Sequence, residues 1–193
     1  MFLIERFRKL RVRMRADAQK GSAAIEFAMI APIFFVLLLG TFEAAIIFFS
    51  QSVLQNGMAD MGRMIRTGQV GCPRDANNQC LAAMTKEQFR ATLCGKVSTL
   101  INCDKLVIDV EAFTDYTGLA RTPPLDEDGN LKPLDNFNVG AVCQVVLARA
   151  FYTWKIATPG LTWFLVNMAD GNRLVTAATA FRTEPWTTTA GGC

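Results

Sequence analysis

An α+β fold is predicted: a long N-terminal helix that spans a membrane and continues into a small antiparallel sheet domain held by disulfides. Three observations predict it. Residues 27–49 form an apolar run of 23 residues with one charge, Glu43. Beyond the run, Leu54, Met58, Met61 and Ile65 recur at the spacing of a single helix face. All six cysteines, Cys72, Cys80, Cys94, Cys103, Cys143 and Cys193, fall after the run, interspersed with β-rich apolar segments.

At 193 residues the chain has room for a membrane segment and one modest domain. Its net charge of +3 is uneven. Residues 1–21 carry seven Lys/Arg against Glu5 and Asp17, a local balance of +5, which leaves the remainder at −2. A basic flank against an apolar run marks the cytoplasmic side and sends the rest across the membrane. A nucleic-acid-binding arm is the other use of such charge, and the adjacent apolar run makes it unnecessary. As a helix, residues 27–49 extend ~34 Å, enough to span a hydrocarbon core with some tilt.

The helix is expected from about residue 23 to 66, apolar all round to about 49 and amphipathic from about 50. Pro32, which offers no N–H to the carbonyl of Ala28, predicts a kink in its membrane half. Gly68 and Gly71-Cys72-Pro73 end it. A short helix follows at about 86–100, opened by a capping box of Thr85 and Gln88 with Phe89, Leu93 and Val97 on its apolar face. Leu106 to Phe113 alternates as a half-buried strand, Ile108, Val110 and Ala112 inward, Asp109 and Glu111 outward. Residues 121–135, with three prolines and four acidic residues, read as an exposed loop. Val142 to Ile156 reads as a long strand, irregular near Arg149. Pro159-Gly160 breaks it, Leu161 to Met168 supplies a helical turn or two, and Leu174 to Arg182 is a third strand. The sheet covers the apolar stripe of the helix.

Cysteines confined to the exported side point to disulfides. Zinc is disfavoured: seven residues separate Cys72 from Cys80 and eight separate Cys94 from Cys103, and the chain has no His and no Cys-x-x-Cys. The sequence does not choose among the possible pairings. Ease of loop closure favours Cys72–Cys80 and Cys94–Cys103, leaving Cys143–Cys193. No metal or cofactor is implied. Without histidine, phosphate-cradling glycines or a nucleophile elbow, nothing supports catalysis, and a non-enzyme is expected.

Secretory signals are cut after their apolar core. Here the small-residue site precedes it, between Gly21 and Ser22, and the acidic Glu26 stands five positions into the new chain. That layout resembles a type IV prepilin. The longer stretch AAIEFAMIAPIFFVLLLGTFE, with Ala23-Ala24, Glu26-Phe27, Ala31-Pro32, the run Val36 to Leu39, and Gly40 with Glu43, resembles the TadE-like family, pseudopilins of the tight-adherence (Flp-type) pilus system. The closing Arg182, Glu184 and Pro185 fit the same family. The resemblance implies a basic leader over 1–21, a helix over 22–66 and an extracytoplasmic pilin-like domain over 67–193. It implies a minor pseudopilin of the bacterial inner membrane with a periplasmic domain, N-terminus inside, cleaved by a prepilin peptidase and acting with other pilins, pseudopilins and the assembly platform. Nucleic acid is not among its expected partners.

Two carboxylates are singled out. Glu26, at the edge of an apolar helix, needs a partner or the interface, and the resemblance implies pairing with the freed Ser22 amine of a neighbouring subunit. Glu43 has three open readings: contact with a partner inside the bilayer, protonation, or solvation near the outer surface. The rival to a pseudopilin is an uncleaved, signal-anchored periplasmic scaffold or binding protein.

Overall fold

The computed structural model describes residues 2–72, 75, 82–119, 125–158 and 160–185, with side chains from residue 21 onward except that of Trp163. Helix α1 runs over Phe2–Arg66 and is continuous through Pro32. Its surroundings change once along its length. From Gly21 to Leu39 every side chain is exposed except the half-buried Ala31. At Gly40 a buried stripe begins and proceeds by steps of three and four through Glu43, Ile47, Ser50, Leu54, Met58, Met61 and Ile65, the rhythm of a helix with one covered face. The expected stripe from Leu54 is therefore present, and it starts fourteen residues earlier.

Helix α2 (Lys86–Val97) opens on the expected capping box: Thr85 Oγ1 accepts from the Gln88 N–H at 3.3 Å and Gln88 Oε1 from the Thr85 N–H at 2.9 Å. It stops at Val97, three residues short of the expected end, in a turn over 98–100. Phe89, Leu93 and Val97 are fully buried, and a Cβ on Gly57 would stand 2.9 Å from both Leu93 and Val97. Glycine at 57 is what lets α2 approach α1. Lys96 and Asp60 bridge the two helices at 2.8 Å.

Three strands, β1 (Leu106–Phe113), β2 (Val145–Lys155) and β3 (Asn172–Arg182), form one antiparallel sheet in that order. The register sets Val110 opposite Ala148 and Ala148 opposite Thr179. One face, including Ile108, Val110, Val146, Ala148, Ala150, Val175 and Ala177, joins the α1 and α2 residues in the main core. Contact with α1 is close: a Cβ on Gly62 would stand 2.8 Å from Thr179, and Gln55 pairs with the Ala178 backbone through its amide, donating at 3.0 Å and accepting at 3.3 Å. At the far end Glu184 donates its N–H to the Arg66 carbonyl at 2.9 Å, and its carboxylate meets the Arg66 guanidinium at 3.0 Å.

The second face corrects three expectations. Leu125, Leu131 and Leu134, in the segment read as an exposed loop, pack on Phe151, Met168 and Leu174; residues 121–124 lie outside the described residues. Asp109, placed on the outward face, is fully buried, with the Arg149 guanidinium against it. And β2 is regular at Arg149, which pairs in register with Asp109 and Ala178. Its guanidinium donates to Asp109 Oδ2 from Nε at 2.9 Å and from Nη2 at 2.5 Å, and reaches Glu111 at 3.0 Å. A charge expected to disturb a strand is absorbed by two carboxylates on the adjacent one. β2 also begins at Val145 rather than Val142, since Cys143 turns the chain with a φ of 66°.

Candidate processing and docking site

The sequence-derived site residues fall at two levels of α1. The lower level is the junction of the basic N-terminal segment and the apolar run. Gly21 lies inside the helix with nothing within 4 Å of the position a Cβ would take. An interior helical glycine costs ~1 kcal/mol against alanine, and no neighbour here requires it. One turn on, Ser22 Oγ donates to Glu26 Oε1 at 3.0 Å, both residues exposed. Glu26 thus has one local partner and keeps its second carboxylate oxygen open to the surroundings.

The upper level lies at Gly40 and Glu43. Strand β2 ends at Lys155 and the chain turns down along α1. There the Glu43 carboxylate, 7% exposed, accepts the Ala157 N–H on Oε1 at 2.5 Å and the Thr158 N–H on Oε2 at 2.8 Å. These amides, just past the strand, have no ladder to bond to, and a carboxylate is the strongest acceptor available. Three residues further, Leu161 occupies the space above Gly40, where any Cβ would collide with it. The pair spaced Gly-x-x-Glu on one helix face therefore acts as a cleat: a gap for a leucine and, one turn on, an acceptor for two amides. Leu39, Phe42, Ile46 and Trp154 surround the carboxylate with apolar atoms. The Glu43 carboxylate is thus engaged within the chain. Sequence reasoning missed Ala157, Thr158 and Leu161. The signal available was the spacing of Gly40 and Glu43 together with the uncharged stretch from Ile156 to Ala169.

Among the cysteines, Cys94 and Cys103 are joined, Cα atoms 5.8 Å apart, tying the end of α2 to the start of β1. Arg90 reinforces the junction by donating to the Cys103 carbonyl from Nε at 3.1 Å and also from Nη2. Cys72 and Cys143 are also disulfide-bonded. Cys80 and Cys193 lie outside the described residues.

Both levels of the site fall in one recognisable stretch. Residues 21–63 match the family model for TadE-like protein. The TadE-like segment begins at Gly21 and takes in Glu26, Gly40, Glu43 and most of the buried stripe of α1. No curated protein and no solved structure matches the chain. The matched segment lies within a helix long and apolar enough to cross a membrane.

Proposed function

We propose that the protein is a minor pseudopilin that takes part in assembling a tight-adherence (Flp-type) pilus, held in the inner membrane with its domain in the periplasm and cut by a prepilin peptidase between Gly21 and Ser22. The TadE-like match supports a role in that pilus system. The observation that carries the processing reading is Gly21: a helix-interior glycine with no neighbour to demand it, at the boundary of a +5 leader and an apolar run. Any requirement for glycine there would have to come from outside the described fold, as it would if a peptidase had to close around a residue without a side chain. Cleavage would place the Ser22 amine one turn from Glu26, whose exposed carboxylate then has a cationic group to pair with, on its own chain or a neighbour's.

Paired variants test this in a strain whose pili depend on the gene. Gly21→Val should leave the precursor at full length in the membrane, with its disulfides formed. Glu26→Ala should give a cleaved or partly cleaved protein and a sharp fall in piliation. Normal piliation with both variants would overturn the reading in favour of an uncleaved, signal-anchored scaffold. A cytoplasm-only reporter active when fused after Gly191 would reverse the topology.

A further inference from the structure

The strands of the sheet run alongside α1, and one end of the sheet points back down the helix toward the apolar run. Three facts fix that end. Lys155 of β2 pairs with Asn172 of β3, Glu43 holds the amides of Ala157 and Thr158, and Leu161 sits over Gly40. The connection between β2 and β3 is therefore seated at the level of Gly40. Large apolar side chains remain exposed on α1 well beyond that level: Ile46 at 45%, Phe48 at 64% and Phe49 at 62%. At 1.5 Å per residue, Phe49 stands ~14 Å further from the leader than Gly40. A bilayer thick enough to cover Phe48 and Phe49 also covers the connection.

The composition of the connection fits that position. From Ile156 to Ala169, fourteen residues carry no charge, and the stretch is bounded by Lys155 and Asp170. Its short helix α3 (Thr162–Leu165) presents Phe164 at 67% exposure, within one turn of Leu161. Backbone polarity is largely met inside the chain: Glu43 takes two amides, the Phe164 and Leu165 N–H groups bond the Leu161 carbonyl at 3.0 and 3.1 Å, and Arg173 donates to the Leu165 carbonyl at 2.9 Å. Such satisfaction is what a non-helical segment needs to enter an apolar medium. Lys155 sits where a long cationic stem reaches up to headgroups.

We infer that the described part of the β2–β3 connection, residues 156–158 and 160–169, is a second membrane contact, immersed in the outer leaflet beside α1, with Phe164 facing lipid. The domain then rests on the bilayer at a fixed orientation set by the Gly40–Glu43 cleat. Leaving the membrane for a fibre would expose this foot to water or to a neighbouring subunit. The inference rests on the membrane-spanning reading of residues 27–49, and its test separates the two.

A fluorescent non-natural amino acid, which adds no thiol, is placed singly at Phe34, Phe164 or Tyr116 of the full chain reconstituted in phosphatidylethanolamine/phosphatidylglycerol vesicles. Tyr116 is 52% exposed and lies beyond the opposite end of β1. Quenching by doxyl-labelled lipids and by aqueous iodide is then compared. At position 164 the expected result is strong lipid quenching and iodide quenching several-fold below that at 116, as for an apolar group well inside the outer leaflet. Lipid quenching at 34 with water-like behaviour at 164 would overturn the foot and leave the span intact. Water-like behaviour at both would overturn both. Protection of 164 from both quenchers, lost on dilution of protein in the vesicles, would assign the surface to a second copy instead of lipid and contradict the proposal.

Discussion

At single residues, the glycines of α1 divide by what surrounds them. Gly57 and Gly62 are held by close neighbours on α2 and β3, Gly40 by Leu161, and Gly21 by nothing. Gly57→Ala should therefore cost ~1–3 kcal/mol through overpacking against Leu93 and Val97. Gly21→Ala should leave domain stability unchanged or raise helix stability by up to ~1 kcal/mol. Thermal unfolding of both variants in nanodiscs checks the contrast, and equal losses would contradict it. Glu43→Ala leaves the Ala157 and Thr158 amides without their acceptor, at a cost of ~1–3 kcal/mol for each buried donor left unmade. Hydrogen exchange at 157 and 158 should accelerate while exchange in β1 stays slow. The spacing of Gly40 and Glu43 was visible in the sequence, but what lay opposite was not. An intramembrane carboxylate announces that it needs a partner without saying whether that partner is 114 residues away in the same chain or in another.

Among the elements, the two main helices and the three strands follow from local pattern, though α1 begins at Phe2 where a start near residue 23 is expected and α2 ends at Val97; the second face of the sheet does not follow. Alternation in Leu106–Phe113 correctly separates Ile108 and Val110 from Asp109 and Glu111, yet it cannot report that Leu125, Leu131 and Leu134 come to lie over the polar side. Their irregular spacing among prolines carries no period. Arg149 was misread for the same reason: its partners are on a strand 38 to 40 residues away. Arg149→Ala should cost ~3–5 kcal/mol because it strands a buried Asp109, whereas replacing Arg149 and Asp109 together by apolar residues should recover much of that loss. Chemical denaturation of the single and double variants decides it. Between α1 and α2, Lys96 holds the Asp60 carboxyl below its ordinary value, through a direct bond and its charge. Because the folded value is the lower one, this pair supports the fold above the unfolded carboxylate's value and loses its effect as pH falls through the folded one, below about pH 4. Asp60→Asn should lower neutral-pH stability slightly, since the pair is exposed, and flatten the acid limb of a Tm-against-pH curve by the same small amount.

For the whole molecule, the sequence already separates a basic N-terminal segment, an apolar run of membrane-spanning length and a disulfide-bearing α+β domain, because charge asymmetry, run length and cysteine placement act over long stretches. The Cys94–Cys103 link was legible as well, a short loop between two predicted elements. How the domain sits against its own membrane helix was not, since contacts that begin at Gly40 depend on a connection more than a hundred residues later. That arrangement makes α1 one continuous rod from Phe2 to Arg66, exposed from Gly21 through Leu39 save the half-buried Ala31 and clasped by the domain from Gly40 onward, as the proposed subunit, released from its leader and packed by its exposed helix, would require. The most direct measurement is the N-terminus of the protein isolated from membranes of cells with and without an active prepilin peptidase. A chain beginning at Ser22 in the first and at Met1 in the second is the expected result. Met1 in both, with pili still formed, would contradict it.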